Sequence, residues 1–202
     1  MVLQRLKVEG GLLNPNILND PRNLICLQSN CVATKRHAGS IHDMLYNALG
    51  FGDPYKIRRR KRAKKSVKTS NLAVPIDRPE MGSFLMQKDE RNPESKCALS
   101  FLFAQYNMGN GHRFYFRDDE YVAACKKNES NPNKARLKAF KQCLKTLSFS
   151  SHTLKMFDRI LFPNNIGCFN AGGQWPHYLN AISRFSNLVN VEVYIIENKR
   201  KE

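Results

Sequence analysis

The sequence predicts an α/β fold: a three-layer α/β/α sandwich around a mostly parallel or mixed central sheet. Three observations carry that prediction. Short apolar runs alternate with amphipathic helical patterns along the chain. Several of those runs are apolar throughout, as strands covered on both faces require. The loops after them, at 30–40, 105–112 and 163–174, are rich in glycine, asparagine and other polar residues. In such folds the ligand crevice lies beyond the C-terminal ends of the strands, where these loops converge.

Taken in order, Asn23-Leu-Ile-Cys-Leu-Gln-Ser is bounded by Pro21 and Asn30 and reads as a buried strand. A polar loop leads to Ile41, Met44, Leu45 and Ala48 at helical spacing, with Ser40 as N-cap and Gly50 and Gly52 as terminators. Residues 53–96 are the least regular; Asn71-Leu-Ala-Val-Pro reads as an edge strand, since Pro75 excludes a central one. Ala98-Leu-Ser-Phe-Leu-Phe-Ala is a central strand. A helix over 134–147 places Leu137, Phe140, Leu144 and Leu147 on one stripe and assigns the lysines and Arg136 to the other faces. The segment 157–193 then reads as strand, glycine turn, helix over 175–186 and final strand. A strand feeding a glycine turn and a helix start collects unpaired N–H groups, a usual place for an anion.

At 202 residues the chain suits one domain over 1–202, with a basic, irregular insertion or arm at about 53–96. No run approaches the length of a membrane span and the N-terminus lacks a signal-peptide core, so no membrane insertion and an intracellular setting are expected: nucleus or cytoplasm of a host cell, or a virion. The six cysteines include no C-x-x-C pair and read as reduced core thiols. Cys168 and His177 are joined by no second ligand pair, so no metal is expected, and no cofactor.

Net charge is +16, and it is clustered. From Lys56 to Lys68 there are nine basic residues and no acid: Lys56, Arg58, Arg59, Arg60, Lys61, Arg62, Lys64, Lys65 and Lys68. From 126 to 145 there are seven, beginning with Lys126 and Lys127, against Glu129 alone. Such clusters point to nucleic acid or another polyanion, or to acidic surfaces of other protein subunits. The run 58–65 lacks apolar periodicity, which disfavours a membrane-surface helix.

Three blocks resemble the macro domain superfamily, in particular its divergent branch in bacteria, phages and large DNA viruses. They are Gln28-Ser-Asn-Cys-Val-Ala-Thr-Lys-Arg-His-Ala-Gly-Ser; Gly52-Asp-Pro-Tyr with Asn71-Leu-Ala-Val-Pro; and Phe162-Pro-Asn-Asn-Ile-Gly-Cys-Phe-Asn-Ala-Gly-Gly-Gln-Trp. The resemblance implies ADP-ribose as ligand, with Asn30 at the distal ribose and Gly39 in the first phosphate-side loop. Gly167, Cys168, Phe169, Ala171, Gly172, Gly173 and Gln174 would wrap the diphosphate. His37 would be an acid/base or a phosphate contact.

Two departures bear on activity. Phe169 stands where the resembling pattern has glycine, and Gln174 where it has an acid before the tryptophan. A glycine admits a phosphate closely because it has no Cβ, and glutamine cannot act as a base. Three functions stay open on these residues. The first is a basic macro-like protein associated with nucleic acid or a virion, its ADP-ribose pocket modified. The second is a working ADP-ribose binder or ADP-ribosyl hydrolase. The third is a minor structural protein of a viral particle.

Overall fold

The computed structural model describes residues 2–61, 72–107, 132–168 and 171–199. Its strands are β1 (Gln4–Glu9), β2 (Asn23–Asn30), β3 (Phe84–Gln87), β4 (Ala98–Gln105), β5 (Arg159–Pro163) and β6 (Glu192–Lys199). The helices are α1 (Pro15–Leu18), α2 (Ile41–Leu49), α3 (Pro132–Phe149), α4 (Ser151–Leu154) and α5 (Trp175–Ser186), with 3-10 turns at Gly11–Leu13 and Pro75–Asp77. One six-stranded sheet runs in the order β1-β6-β5-β2-β4-β3. Every pairing is parallel except β3 with β4.

The predicted three-layer α/β/α sandwich is what forms. Because side chains alternate across a strand, Leu24 and Cys26 of β2 face one layer while Ile25 and Leu27 face the other. On the first face Phe140, Cys143, Leu144 and Leu147 of α3 and Tyr178, Ile182 and Phe185 of α5 cover Leu102, Ile160, Phe162 and Val193. On the second, Ile17, Leu18, Leu45 and Leu49 cover Leu99, Phe101, Leu161 and Ile196. Burying each such side chain contributes about 1.5–3 kcal/mol, so the two faces together drive assembly. The α2 boundaries follow the sequence signals: the Ser40 hydroxyl accepts from the Asp43 N–H at 3.3 Å, and Gly50 ends the helix at φ 78°.

The sheet differs from the sequence reading at both edges. β1 and β3 were not expected: β1 owes its pairing to β6 at the far end of the chain, and β3 is a short half-buried strand set antiparallel against the neighbouring β4. Of the segment 71–75, Asn71 lies outside the described residues, and Leu72 and Ala73 make isolated antiparallel bridges, to Ala33 and Arg60, instead of an edge strand. Arg136 is also corrected. It is 2% exposed rather than on a solvent face.

One irregularity positions the site. β2 and β5 pair only over Asn23–Ile25 and Arg159–Leu161, whereas β2 stays paired with β4 out to Asn30 and Gln105. Past Ile25 no further pairs join these two strands, and the crevice expected of such a fold would lie at their C-terminal ends.

Candidate functional site

Two loops and a helix start lie at this end of the sheet: residues 31–40 after β2, the described residues 164–168 and 171–173 after β5, and the beginning of α5. Asn30, at the end of β2, is 5% exposed. Its Oδ1 accepts from the Ala33 N–H at 2.7 Å and its Nδ2 donates to the Tyr55 hydroxyl at 3.4 Å. The side-chain oxygen thus caps its own loop, as asparagine does in turns. Beside it Ser29 bonds the His42 ring at 2.9 Å, and that ring stacks on Phe101 with centroids 5.9 Å apart. Burial, aided by the Arg36 cation, pulls His42 down to about 4, so it is neutral near pH 7.

The glycine turn closes on the protein itself. The Gly173 N–H donates to the Gly167 carbonyl at 3.1 Å. Gly167 has φ 73°, and a Cβ there would lie 2.4 Å from Gln28 Oε1 and 2.5 Å from the Tyr178 ring. A Cβ on Gly173 would lie 2.5 Å from the Gly167 oxygen and 2.6 Å from the other edge of Tyr178. Both glycines are therefore explained by contact with Tyr178, which is 1% exposed and whose hydroxyl burial pushes up to about 12. Ala171 is buried and Gly172 half-buried; Cys168 is half-buried with its thiol raised to about 11 by desolvation. Gln174 is exposed and caps α5 with its backbone only, leaving the helix start without a side-chain acceptor. Trp175 packs against the core at the same helix start. Phe169 lies outside the described residues.

Arg136 completes the crevice, and the sequence reading missed it. Its guanidinium reaches from the first turns of α3 to the Ala171 carbonyl and, at 3.5 Å, to the Asn107 carbonyl. Asn107 also accepts from Gln105, whose carboxamide oxygen accepts from Gln28 Nε2 at 3.3 Å. Arg136 and this polar chain tie the loops after β4 and β5 together across the sheet end. The signal was present: Arg136, Phe140, Cys143 and Leu147 share one helical face once Cys143 is counted as apolar.

His37 is exposed and bonds the Ala38 carbonyl through Nδ1 at 2.9 Å. Gly39 is exposed, with φ 72°, and donates its N–H to Asp43 at 3.0 Å. That bond, then the neighbouring Arg36, holds the Asp43 carboxyl below the usual range. Arg36 pairs with both Asp43 and Asp53 and sits 3.7 Å from the centre of the Tyr46 ring. Carboxylates therefore stand near the loop of His37, yet they are committed to Arg36. Asn30 stands at the end of β2 and the described turn residues 167–168 and 171–173 follow β5, whereas His37 and Gly39 are exposed in the loop after β2.

The basic run begins from a fixed base. Val74 N–H bonds the Arg59 carbonyl at 2.9 Å and Lys61 N–H bonds the Leu72 carbonyl at 2.7 Å, so the chain leaves and returns as an antiparallel ribbon. Arg58, grouped with the polyanion contacts on sequence, is 6% exposed. Its Nη1 donates to Asn30 O at 3.0 Å and Ala33 O at 2.9 Å, and its guanidinium lies 4.8 Å from the Tyr55 ring centre and 5.3 Å from that of Phe103. It anchors the ribbon to the end of β2 and presents no charge outward; nothing in the run's composition distinguishes it from its neighbours. Arg59 pairs with Asp77 at 2.7 Å, which holds that carboxyl down at about 2. Lys56, Arg60 and Lys61 are exposed. Arg62, Lys64, Lys65, Lys68, Lys126 and Lys127 lie outside the described residues.

Among the described residues no cluster of three metal-ligating side chains occurs, and no helix is long and apolar enough to cross a membrane. The described cysteines, including Cys31, whose thiol burial pushes up to about 12, are free thiols.

No protein-family model matches the chain, and no curated protein matches its sequence. Solved structures do. A protein of unknown function from Bacteroides thetaiotaomicron matches at TM-score 0.53 and 15% identity, and the macrodomain of Mycobacterium tuberculosis DarG at 0.51 and 11%. The macrodomain of Thermus aquaticus DarG matches at 0.47 and 14%. Each alignment covers 96% of this chain and 97% of the other. The match above 0.5 to the Mycobacterium tuberculosis DarG macrodomain shows that the chain has the macrodomain fold; at 11% identity it speaks to fold alone.

Proposed function

We propose that this macrodomain-fold protein associates with nucleic acid through its basic ribbon, and that its crevice has been remodelled into a packed anchor for the surrounding loops. The observation that carries the remodelling is the occupancy of the glycine turn: Gly167 and Gly173 face the Tyr178 ring and Gln28 rather than open space. Arg136, a cation beside the described end of the glycine turn, is engaged with the Ala171 and Asn107 carbonyls. The Asn30 side-chain oxygen is likewise used in its own loop. Gln174 supplies no base.

The nucleic-acid role is supported by charge placement. Lys56, Arg60 and Lys61 are exposed on the ribbon beside the loop after β2, at the start of a run that continues with Arg62, Lys64, Lys65 and Lys68. Phosphate contacts of this kind give affinity without sequence selection. Such binding suits a chain that carries 33 basic against 17 acidic residues.

One observation favours a second reading, ADP-ribose binding. Gly167 and Gly172 both take positive φ, and the α5 start carries no side-chain cap, the usual setting for a phosphate. Calorimetry of nucleic-acid-free protein separates the two. The proposal expects no saturable heat with ADP-ribose at millimolar concentration, but heat with a short oligonucleotide. Saturable micromolar binding of ADP-ribose, weakened by Asn30→Ala, would replace it with the second reading.

A further inference from the structure

We propose that the groove between α3 and α5 docks an acidic amphipathic helix from a protein partner. The groove has a volume of 210 Å³, with Leu144, Phe185 and Leu188 as an apolar floor. Its walls are cationic on both sides: Lys141 and Lys145 from α3, Arg184 from α5. A second, shallower groove of 340 Å³ on the other flank of α3 shares Lys141 and Lys145 and adds Lys134 and Lys138. The lysines thus form a ridge between two depressions.

Charge complementarity identifies the occupant. None of α3, α4 and α5 contains an aspartate or glutamate, and Lys141, Lys145 and Arg184 make no ion pair with a described residue. Within the groove Leu188 is 67% exposed above the buried Leu144 and Phe185; Phe149, 5.8 Å from Lys145 Nζ, adds exposed apolar surface outside the groove's lining. An apolar floor between two positive walls matches a helix with one apolar stripe flanked by carboxylates. Nucleic acid matches less well. The aliphatic floor gives the polar edges of a base nothing to bond, and duplex phosphates need no apolar floor.

This face is separate from the ribbon. α3 begins at the crevice, where Arg136 meets Ala171, and runs back along the sheet toward the start of β5. Leu188 just precedes β6, at the ends of the strands remote from the crevice. The proposal therefore does not depend on the nucleic-acid reading.

The test uses fluorescence anisotropy with the full chain and two labelled synthetic peptides of identical composition. In one, leucines at helical spacing form a stripe between glutamates; in the other the order is scrambled. The stripe peptide is expected to bind about tenfold or more tightly than the scramble. Lys141→Glu with Lys145→Glu, and separately Leu188→Asp, are expected to remove that advantage, whereas Arg60→Glu with Lys61→Glu leaves it intact. Leu188 is exposed, so its variant should melt at the wild-type temperature. The peptide comparison on wild-type protein stands even if a variant fails to fold. Equal binding of the two peptides would overturn the proposal by reducing the groove to bulk charge. So would a single-stranded oligonucleotide of matched charge that binds more tightly than the stripe peptide and loses affinity in Leu188→Asp.

Discussion

Gly167 and Gly39 share a left-handed backbone, with φ 73° and 72°, but differ in surroundings. Nothing lies within 4 Å of a Cβ on Gly39, so Gly39→Ala should cost only the backbone term, about 1 kcal/mol. Gly167→Ala adds overpacking against Tyr178 and should cost about 3 kcal/mol. Denaturant midpoints of the two variants check this; equal losses would remove the packing explanation for the turn. His42 supplies a pH signature. Its folded value of about 4 lies below the unfolded 6.5, so the unfolded chain binds more protons between those limits. Its contribution is complete above pH 6.5 and is lost as pH falls through 4, amounting to about 3 kcal/mol at most. Stability measured over pH 4 to 7 should therefore fall on acidification, and His42→Gln should flatten that part of the curve. Neither His42 nor Arg58 was legible as a buried polar residue, because nothing local marks a polar side chain that a distant ring or carbonyl will cover.

At the scale of elements, the Arg136 side chain couples α3 to the turn after β5. Arg136→Met keeps the apolar stem but takes the guanidinium donor from the Ala171 carbonyl, while the Asn107 carbonyl keeps its bond from Gln105, a loss of about 1–3 kcal/mol. Hydrogen exchange should accelerate at the Gly173 amide, which bonds Gly167 within the same turn. An unchanged rate there would mean that α3 does not hold the turn. The central strands and long helices were legible because each carries its own pattern: a continuous apolar run for β2 and β4, a three-and-four spacing for α3 and α5. β1 was not, since it is an exposed edge strand whose pairing comes from β6 at the far end of the chain. That described loop residues follow β2, β4 and β5 was legible from the apolar runs before them. Their internal bonding was not, because it depends on where Arg136, Gln28 and Tyr178 point.

For the whole molecule, a macrodomain fold supplies the framework, and charge differentiates its surfaces. Net charge of +16 is a property that sequence states outright. Which charges face outward is not: Arg58 and Arg136 are buried, and Arg59 and Arg36 are paired with carboxylates. On the proposed reading, the exposed ribbon makes electrostatic contact with nucleic acid. The most direct test of this claim is the affinity of nucleic-acid-free protein for a mixed-sequence oligonucleotide across a salt series, with Arg60→Glu and Lys61→Glu alongside wild type. If about six phosphates are engaged, the binding constant should fall with salt at a log–log slope near −5. The double reversal should make that slope shallower and weaken binding at every salt concentration. Binding that ignores salt, or that survives the reversal unchanged, would contradict the claim.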